Sequence, residues 1–195
     1  MHTSPTSQKR LMPNSTCHPS WAKDEAACPA WALRDMRIDD LPGLASLLPA
    51  LGYPSSLPSL AQRWAWLSAV PDQRLLVAVA LSGTEGAPST SPTSPTSPTS
   101  PGLIGFCHLL GVRRMDSDGY AEVLSLVVEP AWQRQGIGRG LIEAARVAAM
   151  AMGHGRLRLG SGAHREDAHR FYEAQGFTRC RPGLVFEQRL SADGG

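Results

Sequence analysis

Leu126-Val127-Val128-Glu129-Pro130-Ala131-Trp132-Gln133-Arg134-Gln135-Gly136-Ile137-Gly138-Arg139-Gly140 is the stretch that decides how this chain folds. An apolar run stops at Glu129-Pro130, a glycine-bearing turn follows, and Leu141, Ala145, Ala148 and Met152 then keep helical spacing. The pattern predicts strand, turn and helix in that order. The first amides of a helix have no internal acceptor, and the helix dipole adds partial positive charge there, so such an end holds phosphate well. Gly136 and Gly138 lack β-carbons, which lets a pyrophosphate approach the backbone. A Walker-type loop needs Gly-Lys-Ser/Thr, which is absent. A dinucleotide fingerprint needs glycine at 141, where the chain has Leu141. A third spacing, Gln/Arg-x-x-Gly-x-Gly/Ala, is met by Gln133, Gly136 and Gly138. A glycine-rich helix start with no ligand is the remaining alternative.

Outward from this turn the rest of the chain falls into pieces. The helix is expected over about 135–152, stopped by Gly153 and Gly155. Residues 120–128 form the strand before the turn, and their continuous apolar second half suits a strand covered on both faces. Two more strands are expected at 74–81 and 103–112. Between them Ser-Pro-Thr repeats from Ser91, and prolines at 88, 92, 95, 98 and 101 remove backbone donors. The segment from about 84 to 101 therefore reads as an expanded hairpin loop, with a proline-rich docking site as its functional alternative. Before these lie a short strand at 32–37 and a helix capped by Asp39 or Asp40 that carries Leu41, Leu44, Leu47, Leu48 and Leu51. Gly52-Tyr53-Pro54 breaks it, and a second helix presents Leu57, Leu60, Trp64 and Leu67 on one face. After the long helix come a short strand at 156–159, a helix over 164–175 ended by Gly176, and a closing pair of strands from Phe177 onward. The order is β-α-α-β-β-β-α-β-α-β-β, an α/β fold built on a mixed sheet with helices on its faces. Residues 1–30, rich in Ser, Thr, Pro and Lys, read as a disordered tail.

Composition narrows the function. The 195 residues leave room for one ordinary domain, 42% of them are hydrophobic, and the formal net charge is +2 with scattered arginines. That footprint is too weak for a dedicated nucleic-acid binder. No run reaches the length of a membrane helix, no signal peptide stands at the N-terminus, and the expected location is cytoplasmic. Cys17, Cys28, Cys107 and Cys180 form no C-x-x-C pair. Although Cys17-His18 with Cys28 suggests a metal site, a second close pair of ligands is missing, so unpaired thiols and no metal are expected.

A second constellation joins the first. His164-Arg165-Glu166-Asp167-Ala168-His169-Arg170-Phe171-Tyr172-Glu173-Ala174-Gln175-Gly176-Phe177 resembles the segment of GNAT superfamily N-acetyltransferases in which a helix carries Phe-Tyr and ends at Gly-Phe. The glycine turn resembles that family's Gln/Arg-x-x-Gly-x-Gly/Ala signature, and Arg34 with the following Asp-capped helix fits its opening. Leu51-Gly52-Tyr53-Pro54 is similar to a motif in one group of small bacterial members. The resemblance spans about residues 31–190 and implies a mixed, mostly antiparallel central sheet with helices on both faces. It also implies acetyl-coenzyme A as co-substrate and a primary amine, of a small molecule or a protein, as acceptor. Leu126, Val127 and Val128 then line the acetyl and pantetheine end where the sheet splays. Gln133, Arg134, Gln135, Gly136, Ile137 and Gly138 wrap the pyrophosphate, assisted by Arg139 and Gly140. Tyr172 is the acid that protonates the leaving sulfur; its alternative is packing against Phe177. Two positions depart from the family: Arg165 stands where asparagine is frequent, and Gly160 where some members carry glutamate.

Such a mechanism needs a base. An alkylamine has a pKa of about 10.4 and arrives protonated, so a carboxylate or an ordered water chain must take a proton. Glu122 is the expected base, with His108 and His164 as lesser candidates. Cys107 cannot act as nucleophile to His108, because adjacent strand residues point to opposite faces. Attack is expected to be direct. The rival reading is a non-catalytic acetyl-coenzyme A-binding regulatory module, which has no use for Tyr172. A homodimer is among the expected assemblies, and neither nucleic acid nor membrane is an expected partner.

Overall fold

The computed structural model describes residues 30–81 and 102–180. The expected tail, the Ser-Pro-Thr loop, Cys17, His18 and Cys28, and all of the closing strand pair beyond Cys180 lie outside the described residues. Residues 177–180 themselves form no strand.

Five strands make one sheet in chain order: β1 (Trp31–Asp35), β2 (Gln73–Ala80), β3 (Leu103–Val112), β4 (Tyr120–Val128) and β5 (Leu157–Leu159). The first four pair antiparallel, and β5 pairs parallel to β4. The expected mixed, mostly antiparallel sheet is what the backbone forms. Helices α1 (Leu41–Leu47) and α2 (Leu57–Leu67) lie between β1 and β2, α3 (Ile137–Ala151) between β4 and β5, and α4 (Glu166–Ala174) after β5.

Two apolar layers sandwich the sheet. On one face Leu76, Ala78, Cys107, Ala121 and Val123 meet Ile137, Leu141, Ile142 and Ala145 of α3, with Phe171 of α4 against the same cluster. On the other, Val77, Val79, Phe106 and Val127 meet Leu41, Leu44, Leu47 and Leu60 of α1 and α2. Strand alternation sorts the side chains this way. Gly140 is a contact point of α3: a β-carbon there falls 2.9 Å from the Trp31 ring, so β1 crosses close to the helix.

The N-terminal cap differs from expectation. The Asp40 carboxylate bonds no amide of α1; it accepts from the Arg37 amide at 2.7 Å and from both Arg34 guanidinium nitrogens at 2.6 and 2.8 Å. It therefore ties β1 to the start of α1. Burial pushes the Asp40 carboxyl up, but Arg34 and the Arg37 amide outweigh burial and hold it below the usual carboxylate range.

Candidate functional site

Strand β4 is interrupted at Leu124. His108 of β3 pairs with Ser125 and Leu109 pairs with Val123, so Leu124 is an extra residue, a β-bulge. The alternation changes parity there: Ala121 and Val123, then Leu126 and Val128, all belong to the α3 face. Pairing with β5 covers only Ala121, Glu122 and Val123. Residues 124–128 thus keep β3 on one side and have no strand partner on the other, among the described residues. Leu124 is 47% exposed, which corrects the expectation of a strand covered on both faces throughout. A run apolar at every position hides a change of parity, so the bulge left no signal in the sequence.

The open half of β4 runs directly into the glycine turn. Arg134 has φ +62 and is the one non-glycine residue with positive φ among those described; Gly136 has φ +80. Two left-handed residues within three bend the backbone just before the first turn of α3, whose leading amides have no acceptor within the helix. The first α3 bond from this end runs from the Gly140 amide to the Gly136 carbonyl at 2.9 Å. The Gly140 amide is therefore used within the helix, and its α-carbon faces Trp31.

The two signature glycines have different jobs. A β-carbon on Gly136 meets nothing within 4 Å, and its φ disfavours any L side chain. A β-carbon on Gly138 lies 3.3 Å from Phe171, so this glycine lets α4 close onto the start of α3. Phe171, unassigned from sequence, is therefore the bridge between the two motifs. Ile137 is 1% and Val127 7% exposed, so both contribute backbone here while their side chains fill the core. The Gln133 side chain donates to the Val128 carbonyl at 3.2 Å and that of Gln135 to the Ala131 carbonyl at 3.4 Å, bracing the turn from inside. Arg146 locks the far end of α4 by donating to the Gln175 carbonyl.

Tyr172 is half-buried, edge-on to Phe171 at 5.3 Å and to Phe177 at 6.0 Å between ring centroids. Burial pushes its phenol above the usual value, and the Arg165 charge pulls it back. It stays a protonated donor at neutral pH. The Cys107 thiol, fully buried on the α3 face, is pushed up to about 12 by burial, so it is no nucleophile. Glu122 lies on the opposite face, beside Leu110 and Arg158, in the half of β4 paired on both sides. Three residues, the bulged Leu124 among them, separate it from Leu126, about 10–13 Å along the strand. His108 is on the same face as Glu122 and nearer the bulge. His164 stands against Gly162, at the mouth of α4. Among the described residues no cluster of three or more His, Cys, Asp or Glu could hold a metal, and no helix is long and apolar enough to cross a membrane.

Residues 100–179 match the family model described as acetyltransferase (GNAT) domain. Solved structures of similar fold include a GNAT family acetyltransferase from Staphylococcus aureus, 16% identical over 82% of this chain and 99% of that one, TM-score 0.61. A transcriptional regulator from Bacillus halodurans is 20% identical over 81% and 99% of the two chains, TM-score 0.64. An aminoglycoside N-acetyltransferase, AAC(6')-Iy in complex with CoA, is 15% identical over 82% and 95%, TM-score 0.64. No curated protein matches the sequence. The fold is that of GNAT acetyltransferases, and the match to that family's domain model spans residues 100–179.

Proposed function

We propose that this chain is an N-acetyltransferase that moves the acetyl group of acetyl-coenzyme A directly onto a primary amine. The observation that carries this reading is the continuity of the open half of β4 with the glycine turn. A strand edge with no second partner strand among the described residues, 124–128, leads within a few residues to a helix start. An amide-bearing arm can pair along the first while its diphosphate sits at the second. The fit is supported by the open space at Gly136, which a β-carbon would enter, and by the cations Arg134 and Arg139 flanking the turn.

In this reading Leu126, Val127 and Val128 hold the thioester end through their backbone, and Gln133 to Gly138 hold the pyrophosphate. The co-substrate supplies an acetyl thioester, whose carbonyl carbon is attacked by the neutral amine. Phe171 and α4 close the α3 side, so the amine approaches from the face of α1 and α2. The new N–C bond forms, the C–S bond breaks, and the Tyr172 hydroxyl gives its proton to the departing sulfur. Glu122 is the carboxylate on the amine's side of β4. Isothermal calorimetry with acetyl-coenzyme A, followed by thiol release against an amine panel, tests the reading; absence of binding by the folded protein contradicts it.

The regulatory module has one observation behind it, the transcriptional regulator from Bacillus halodurans that shares this fold. It predicts cofactor binding with no amine acetylated and no effect of Tyr172→Phe.

A further inference from the structure

We infer that His108 is the general base of this site, taking the amine's proton on Nδ1, directly or through one water; this rests on the acetyl-transfer reading above.

Position comes first. His108 pairs with Ser125, the first residue after the bulge, so it borders the open half of β4. Its neighbours Cys107 and Leu109 belong to the α3 cluster, and alternation therefore places His108 on the α1 and α2 face, from which the amine comes. Glu122 shares that face but pairs with Leu110, farther from the opening.

The ring's proton is placed by its partner. Gln73 is buried, and its Nε2 donates to the Leu67 carbonyl at the end of α2, which turns its Oε1 toward His108. That oxygen lies 3.2 Å from His108 Nε2 and can only accept, so Nε2 carries the hydrogen. Nδ1 is then the basic nitrogen. Among the described residues it has no hydrogen-bond partner, and the ring is half-buried. Burial holds the ring below the usual imidazole value, which keeps it neutral near pH 7. Of the titratable groups on this face, Glu122 and Tyr120 lie on β4, Arg158 on β5 and Arg34 on β1 with its partner Asp40, and the segment 41–71 covering the face carries Arg63 and Tyr53.

The proton balance follows. As the N–C bond forms, the nitrogen becomes cationic and acidic; Nδ1 accepts its proton, and the imidazolium later releases it to solvent. Tyr172 protonates the leaving sulfur and is reprotonated from solvent.

The test uses the full chain and the best amine of the panel, with kcat/KM expressed per neutral amine. For the parent, the rate should fall on acidification with an apparent pKa below about 6.5. His108→Gln should lose that limb and about 10²-fold in kcat, with acetyl-coenzyme A affinity unchanged by calorimetry. If that variant fails to fold, imidazole added to His108→Ala is read instead, and recovered turnover supports the base. A parent profile flat down to pH 5, or a limb removed by Glu122→Gln and kept in His108→Gln, overturns the inference. No amine turnover by a parent that binds the cofactor overturns the acetyl-transfer reading itself.

Discussion

Up to Val123, β4 is hydrogen-bonded to β3 on one side and β5 on the other, and Ala121 and Val123 are 0% and 5% exposed. Past Leu124 the same strand keeps β3 alone, Leu124 is half-exposed, and the chain runs on into two left-handed residues and the start of α3. The first half is ordinary sheet, and its groups are spent on folding. The second half has no second partner strand among the described residues and leads into a helix start. One inserted residue separates a half paired on both sides from a half paired on one.

The variants that break this comparison are ordered by expected effect. Gly136→Val acts on the open half. A β-branched residue at φ +80 is strained by about 1–2 kcal/mol, and its side chain enters the space left for phosphate. Acetyl-coenzyme A affinity should drop about 100-fold or more, since each charge-assisted bond lost is worth about 1.5–3 kcal/mol. Calorimetry on the folded variant checks it. Tyr172→Phe keeps both edge-on ring contacts, so affinity should hold while kcat falls about 10²-fold. An unchanged kcat makes Tyr172 a packing residue.

Asp40 sharpens the comparison from outside the open half. Asp40→Ala leaves the partly buried Arg34 without its carboxylate and should remove about 2 kcal/mol of stability, with acetyl-coenzyme A affinity unchanged. The pH dependence has a definite sign. The folded carboxyl is held below its unfolded value of about 3.9. Its contribution is therefore complete above that pH and is lost as pH falls through the lower, folded value. Urea midpoints of parent and variant should converge once the pH has fallen below the folded carboxyl's lowered value.

Much of this was legible in the residues. Leu141, Ala145, Leu57 and Leu60 announce their helices by spacing, and the α3 and α4 boundaries at Gly153 and Gly176 coincide with left-handed glycines. The glycine turn was legible as the start of a helix because its backbone geometry is local. What was hidden depends on distant partners. Gly138 reads as room for a ligand, yet its neighbour is Phe171, 33 positions away in sequence. Asp40 reads as a cap, and it serves Arg34 instead. The base is the same case: Glu122 is a visible carboxylate, whereas the claim of His108 rests on its bond to Gln73 from another strand.

Deleting Leu124 tests the account most directly. Without it Ala121, Val123, Leu126 and Val128 fall into an unbroken two-residue alternation on the α3 face, so the core can stay filled while the bulge is gone. The measurement is acetyl-coenzyme A-dependent thiol release with the best amine, alongside thermal melting. The account predicts a folded protein with a melting temperature within a few degrees of the parent and turnover reduced to background. A folded deletion variant that turns over at the parental rate contradicts it.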